Sequence, residues 1–154
     1  MDEQIIQVWK YLLKNNVNYL TIGGLAVNIY GYGRNTGDID IIIEDTLINR
    51  ENLRNALNEL GIGDFENILT MQFIAGWTDI NLNFNLRLDI MTSIKGLENK
   101  PFRELMKQAT ITEINDVQVY FLDYENLIIA KKAANRLKDL LDIEELEKIN
   151  KDRQ

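Results

Sequence analysis

The feature that most constrains the fold is the run at residues 38–43, DIDIII. β-Branched residues favour strands, and alternate residues of a strand point to opposite faces. The run therefore predicts a core strand that buries Ile39, Ile41 and Ile43 and places Asp38 and Asp40 together on the other face. The two carboxylates would lie about 6–7 Å apart along that face. They repel unless a cation or proton compensates them, or unless they lie at the exposed start of the strand.

A glycine pair precedes this strand. Residues 17–22 (VNYLTI) predict a short buried strand, which ends at Gly23 and Gly24 before a short helix. Such a corner leaves backbone N–H groups available to a phosphate, although it is also an ordinary tight turn. Arg34 follows, where its guanidinium suits either a phosphate or a surface salt bridge. Together these residues predict one site for a nucleoside triphosphate and Mg²⁺.

The rest of the chain predicts interleaved helices and strands with no internal repeat or linker. Its 154 residues therefore suit a single domain, 1–154, of mixed α/β (α+β) class. Residues 61–84 are hard to assign apart from one strand. The remaining predicted elements are helices at 3–14, 50–60, 101–108 and 123–149, and strands at 70–75, 85–91, 110–114 and 117–122.

Two absent residue types exclude several kinds of chemistry. The chain has no histidine and no cysteine, and its only serine is Ser93. Histidine-dependent nucleophilic catalysis, thiolate metal sites and disulfides are therefore excluded. An enzyme of this composition must rely on carboxylates, Lys, Arg and Tyr, and its metal should be a hard ion such as Mg²⁺ or Mn²⁺.

Charge and hydropathy limit the partners. A net charge of −7 disfavours a broad nucleic-acid footprint unless basic residues gather on one face. The first residues lack a basic signal-peptide region, and no apolar run reaches about 18 residues. We therefore expect a cytoplasmic protein with no membrane partner.

The run GGLAVNIYGYGRNTGDIDI resembles the nucleotidyltransferases of the DNA polymerase β superfamily. It is especially similar to small bacterial members with GG-x-A, a glycine, R-x-T and D-[ILV]-D, including lincosamide and aminoglycoside nucleotidyltransferases. The similarity to abortive-infection nucleotidyltransferases is looser. The resemblance implies a nucleotidyltransferase-like mixed β-sheet flanked by helices, a nucleoside triphosphate substrate and Mg²⁺ or Mn²⁺.

The resemblance also requires a third carboxylate on a neighbouring strand. Asp89, in LRLDIMTS, is the best candidate because it has apolar neighbours on both sides. A structural aspartate at a strand end is the alternative, and Asp79 and Asp64 are rivals in loop-like surroundings. The resemblance implies catalytic and metal-binding roles for Asp38, Asp40 and Asp89. Asp38 and Asp40 would hold two metal ions, and Asp89 would help deprotonate the acceptor hydroxyl.

A weaker similarity lies in NLIIAKKAANRLKDLLDIEEL. Related families often carry a Leu-Ile-x-x-Lys helix followed by an Arg-x-Lys-Asp segment. The resemblance implies that Lys131 binds the triphosphate alongside Gly23, Gly24 and Arg34. Arg136 or Lys138 could pair with Asp139 or Asp142, whereas a basic solvated helix face would give the same pattern.

The predicted activity is transfer of a nucleoside monophosphate to a hydroxyl acceptor with release of pyrophosphate, with AMP from ATP favoured. The acceptor is a small molecule, a protein or tRNA. One alternative is a non-catalytic binding or toxin–antitoxin partner of the same fold, in which one aspartate points away from the other two. Another is a tRNA-directed nucleotidyltransferase, which needs a separate basic strip. A homodimer that completes the acceptor site is left open.

Overall fold

The computed structural model describes residues 2–83 and 85–153, and its strands form one mixed sheet. Within that part of the chain the sheet order is β3-β4-β2-β1-β6-β5. The pairs β2–β4 and β1–β6 are parallel and the other pairs are antiparallel. The strands are β1 (Tyr19–Ile22), β2 (Asp38–Ile43), β3 (Asp79–Asn81), β4 (Arg87–Met91), β5 (Thr110–Ile114) and β6 (Val117–Phe121).

Helices flank this sheet, as the sequence predicts. They are α1 (Glu3–Lys14), α2 (Gly23–Ile29), α3 (Leu47–Glu59), α4 (Phe102–Lys107), α5 (Tyr124–Ala134) and α6 (Leu137–Ile149), with short 3₁₀ turns at Glu66–Leu69 and Lys151–Arg153. No helix in the described residues is long and apolar enough to cross a membrane.

The core joins α1 to the centre of the sheet. Ile5, Trp9 and Leu12 are buried on one face of α1, at the helical spacing seen in the sequence. The Trp9 indole N–H donates to Thr21 Oγ1 at 3.0 Å, and its ring meets Phe121 edge-on with centroids 5.8 Å apart. These contacts fix β1 and β6, so the corner after β1 stands on a rigid base.

The predicted strand at 70–75 is wrong, because the carbonyls of this region bind a side chain instead of a neighbouring strand. Arg50 Nη1 donates to the Ile68 carbonyl at 2.9 Å and to the Met71 carbonyl at 2.7 Å. The chain then turns, with Gly76 at a φ of +78°, and strand pairing begins at Asp79.

The stretch predicted to be helical at 123–149 is helical, but it divides into α5 and α6. Asn135 adopts the left-handed conformation, with a φ of +54°, and ends α5. Asparagine is one of the few residues that tolerates this conformation. The backbone N–H of Arg136 then donates to Asp139 Oδ2 at 3.2 Å, which fixes the first turn of α6.

Candidate active site

Asp38, Asp40 and Asp89 lie on one face of two parallel strands. In the β2–β4 register, Asp40 pairs with Asp89 and Asp38 pairs with Arg87. Paired residues of neighbouring strands point to the same face, and the strands lie about 4.8 Å apart. The structure therefore brings the three predicted carboxylates together, and we call them the carboxylate face.

The two rival carboxylates differ in position. Asp79 pairs with Asp89 in the β3–β4 register, so it borders the carboxylate face. Arg87 bridges Asp79 and Asp38, because its Nη1 lies 3.3 Å from Asp79 Oδ2 and its Nε lies 3.3 Å from Asp38 Oδ1. Asp64 lies outside the site and forms an exposed ion pair with Arg54 of α3.

Burial and mutual repulsion raise the pKa values of two carboxyl groups on the carboxylate face. Burial, followed by the charges of Asp89 and Asp38, raises the pKa of Asp40 to about 6, and Lys138 and Lys131 act in the opposite direction. Burial also raises the pKa of Asp89, which the Gly76 backbone partly offsets. Asp89 Oδ1 is buried without a hydrogen-bond partner among the described residues. This face therefore carries negative charge that the surrounding residues compensate only in part.

The glycine corner, Gly23 and Gly24, packs directly against the carboxylates. Gly23 has a φ of +67°, and a Cβ there would overlap Asp40 Oδ2. A Cβ at Gly24 would lie 3.2 Å from Thr36 Oγ1 and 3.4 Å from Arg34 Nη2. No side chain caps the first N–H groups of α2. The corner thus places uncapped backbone donors beside Asp40, and only glycine fits at position 23.

Arg34 and Lys131, predicted to bind the triphosphate, share one buried counter-ion. Lys131 Nζ lies 2.8 Å from Asp142 Oδ2 and 3.1 Å from Asp139 Oδ1. Arg34 Nη2 lies 3.3 Å from the same Asp142 oxygen. Lys131 is therefore not a solvated helix residue but part of a buried ion-pair network that ties α5 to α6. Its predicted contact with a triphosphate stays a prediction.

Arg136 completes this network. Its Nε donates to Asp139 Oδ2 at 2.6 Å and its Nη2 donates to Asp139 Oδ1 at 3.1 Å. Burial acts to raise the pKa of Asp139, but the hydrogen bonds from Arg136 and Lys131 outweigh it and leave that pKa below its ordinary value. The predicted pairing of Arg136 with Asp139 is confirmed. We call Arg34, Lys131, Arg136 and Lys138 the cationic wall.

The cationic wall and the carboxylate face line the same cleft, which has a volume of about 420 Å³. The glycine corner lies on its rim, and the cleft is large enough for a small ligand. Its lining includes Ile22, Gly23, Gly24, Arg34, Asp38, Asp40, Ala75, Gly76, Asp89, Met91, Lys95, Leu127, Lys131, Arg136, Lys138 and Asp139.

Three residues of the site were not predicted from the sequence. Arg87 lies two residues before Asp89, so strand alternation alone would have placed both on one face. Lys95 follows β4 closely and lines the cleft, but nothing in its surroundings distinguishes it from a surface lysine. Gly76 contacts Asp89 from a segment with no periodicity, so no sequence signal was available.

Comparisons with known proteins agree with this geometry. The sequence matches the family described as "Nucleotidyl transferase of unknown function (DUF2204)" over residues 1–154. Comparison with curated proteins finds no match. The fold is similar to lincosamide antibiotic adenylyltransferase LnuA bound to lincomycin, at 14% identity and a TM-score of 0.61, covering 97% of this chain and 98% of that one.

A second structural neighbour is the antibiotic-resistance factor ANT(2'')-Ia. It has 16% identity and a TM-score of 0.62, with 95% of this chain and 82% of that one covered. At these identities the likeness establishes the fold, and the family match covers the whole chain. The chain belongs to the nucleotidyltransferase family DUF2204.

Proposed function

We propose that this protein uses Mg²⁺ or Mn²⁺ to transfer a nucleoside monophosphate, with AMP from ATP favoured, onto a hydroxyl acceptor. One observation carries the proposal. Asp38, Asp40 and Asp89 share a face beside the glycine corner, and the cationic wall lines the same cleft. This arrangement matches two substrates, a metal-bound nucleoside triphosphate and an acceptor whose hydroxyl group approaches the carboxylates.

The donor chemistry of the carboxylate face suits a hard divalent cation, since carboxylate oxygens are its preferred ligands. Asp89 Oδ1 has no hydrogen-bond partner among the described residues, and burial together with the charges of Asp89 and Asp38 raises the pKa of Asp40. Across residues 2–83 and 85–153, no three acidic side chains are already gathered closely enough to hold one ion. Binding therefore requires adjustment of the face, including release of Asp38 from Arg87. Asp38, Asp40 and Asp89 would then hold the ion, and the ion would neutralise the negative charge that develops on the phosphates.

The chain's own residues account for the rest of the reaction. Asp89 accepts the proton of the acceptor hydroxyl on the carboxylate oxygen that does not bind the ion, as the acceptor oxygen forms its bond to the α-phosphorus. The bond from the α-phosphorus to the oxygen bridging to the β-phosphate breaks, and pyrophosphate leaves. Charge developing on the leaving group lies towards Lys131 and Lys138, whose positive charge stabilises it. Backbone donors of the glycine corner orient the phosphates.

Nucleotide binding tests this proposal. Calorimetry should detect Mg²⁺-dependent binding of a non-hydrolysable ATP analogue, and the double variant Asp38→Asn/Asp40→Asn should abolish it. The matched control is Asp116→Asn, which removes an exposed carboxylate from the β5–β6 turn. Equal binding by the wild type and the double variant refutes the proposed site.

The alternatives receive less support. A non-catalytic fold predicts that one aspartate points away, whereas the strand register places all three on one face. A tRNA-directed enzyme requires a separate basic strip, but Lys131 is buried and Lys132 lies 3.9 Å from Glu147. The label from α-labelled ATP should therefore appear in a product other than tRNA.

A further inference from the structure

A turn that lines the cleft through Ala75 and Gly76 displays two large apolar side chains to solvent. Residues 74–77, which we call the tryptophan turn, precede β3. Trp77 is 83% exposed and Ile74 is 53% exposed, whereas the other tryptophan, Trp9, is fully buried. Tryptophan is highly buried on average in folded proteins, so an exposed one beside a cleft indicates a surface that binds something.

The tryptophan turn is held in place at its carboxyl end. Trp77 N donates to the Ile74 carbonyl at 2.9 Å. The buried Thr78 hydroxyl accepts from Ile74 N at 2.8 Å and donates to the Gln72 carbonyl at 3.2 Å. The Thr78 carbonyl accepts from Ile90 N of β4 at 3.0 Å. The exposed side chains therefore project from a fixed scaffold.

The amino-terminal side of the turn is anchored by Arg50 of α3. Its guanidinium carbon lies 4.6 Å from the centre of the buried Phe73 ring. The same side chain binds the carbonyls of Ile68 and Met71. Preorganisation of this kind reduces the entropy lost when a ligand binds.

The turn also contacts the candidate catalytic carboxylate. Ala75 and Gly76 line the cleft together with Asp89, and the Gly76 backbone acts to lower the pKa of Asp89. A molecule resting on Trp77 and Ile74 is therefore next to the group assigned to deprotonate the acceptor hydroxyl. The cationic wall, to which the proposed function assigns the phosphates, is contributed by other segments of the chain.

The charge at this end of the cleft restricts the ligand further. The carboxylate face and Asp79 together contribute four carboxylates around the guanidinium of Arg87. Arg87 and the one divalent ion of the proposed function supply three positive charges, which leaves a formal excess of one negative charge. A polyanion would be repelled here, whereas a neutral or cationic molecule would not. A cation can in addition be attracted to the face of the Trp77 ring.

From these observations we propose that the tryptophan turn selects the acceptor. The acceptor is a hydroxyl-bearing small molecule that is neutral or cationic and places an apolar or ring face on Trp77 and Ile74. This inference rests on the proposed nucleotidyl transfer and adds the class of acceptor. The transfer step is unchanged, with the acceptor oxygen bonding to the α-phosphorus and pyrophosphate leaving.

The experiment compares variants in two assays. The first measures Mg²⁺-dependent binding of a non-hydrolysable ATP analogue. The second supplies α-labelled ATP, Mg²⁺ and the small-molecule ultrafiltrate of a cell extract, and measures label in new products. Trp77→Ala should bind the analogue normally but raise the apparent KM for the ultrafiltrate about tenfold. Trp77→Phe should recover most of the loss, and Ile48→Ala, an exposed apolar control on α3, should behave as wild type.

The two assays separate failure of this inference from failure of the proposed function. Loss of all Mg²⁺-dependent analogue binding in the wild type would defeat both. Normal binding with equal transfer by the wild type and Trp77→Ala would overturn the role of the turn alone. A labelled product that carries a net negative charge apart from the added nucleotide would overturn the acceptor class. So would a wild-type protein that labels tRNA or protein in the whole extract but labels nothing in its ultrafiltrate.

Discussion

Replacing Gly23 with alanine tests the contact on which the candidate site is built. Gly23 lies in the left-handed region, and the added Cβ would overlap Asp40 Oδ2. A non-glycine residue in that region costs about 1–2 kcal/mol, and inserting a methyl group into packed space costs about 1–3 kcal/mol more. We therefore expect Gly23→Ala to lower the free energy of unfolding by about 2–5 kcal/mol.

A double-mutant cycle separates the two contributions. Asp40→Ala removes the atoms that the new methyl group overlaps but leaves the backbone strain. In that background Gly23→Ala should cost only about 1–2 kcal/mol, giving a coupling energy of about 1–3 kcal/mol. Urea unfolding followed by circular dichroism measures all four proteins.

Gly37→Ala is the matched control. Gly37 has no atom within 4 Å of its Cβ position and no positive φ. Its substitution should change the free energy of unfolding by less than about 1 kcal/mol. If Gly23→Ala is as stable as this control, or costs the same in both backgrounds, Gly23 does not pack on the Asp40 carboxylate and the description of the site fails.

Three further predictions concern charge and chain conformation, each measured by denaturant unfolding. In metal-free buffer above about pH 7, Asp40→Asn should raise the free energy of unfolding by up to about 3 kcal/mol. The reason is that the folded state raises the pKa of this carboxyl to about 6, so its ionised form destabilises the folded protein, and asparagine carries no charge. The free energy of unfolding of the wild type should therefore rise as the pH falls from about 7 to 4, and the variant should lack that rise. Parallel plots of the free energy of unfolding against pH for the two proteins would contradict this prediction. Asp142→Asn should lower stability by about 3 kcal/mol or more because Lys131 loses a buried partner, whereas the exposed Glu144→Gln should have little effect. Equal stability of these two variants would show that the buried network is dispensable. Asn135→Ala should cost about 1 kcal/mol and Asn135→Gly should not, since only the latter accepts a φ of +54°; the reverse order would refute the left-handed cap.

The carboxylate face was predictable because strand alternation fixes it locally. Once residues 38–43 were assigned to a strand, Asp38 and Asp40 had to share a face. Asp89 required one more step, since its apolar neighbours predicted a strand but not which strand it would join. The register that pairs Asp40 with Asp89 depends on the whole sheet order, which no local pattern encodes.

The errors arose where side chains from distant segments determine the backbone. Residues 70–75 have strand-like composition, but Arg50 binds the carbonyls at the start of this region. Lys131 resembles a solvated lysine on a helix, and its burial follows from Asp142, eleven residues later on another helix. Local composition contains no information about either contact.

The docking of α6 has a consequence for the order in which the site is assembled during synthesis. Asn150 Nδ2 donates to the Tyr30 carbonyl at 2.9 Å, and Ile149 packs against Gly31. A nascent chain that ends after β4 already contains all three carboxylates but lacks Lys131 and its partners Asp139 and Asp142. On the ribosome, the three carboxylates therefore emerge first, and Lys131 gains its buried partners Asp139 and Asp142 only after residues 137–150 have been translated and have folded back.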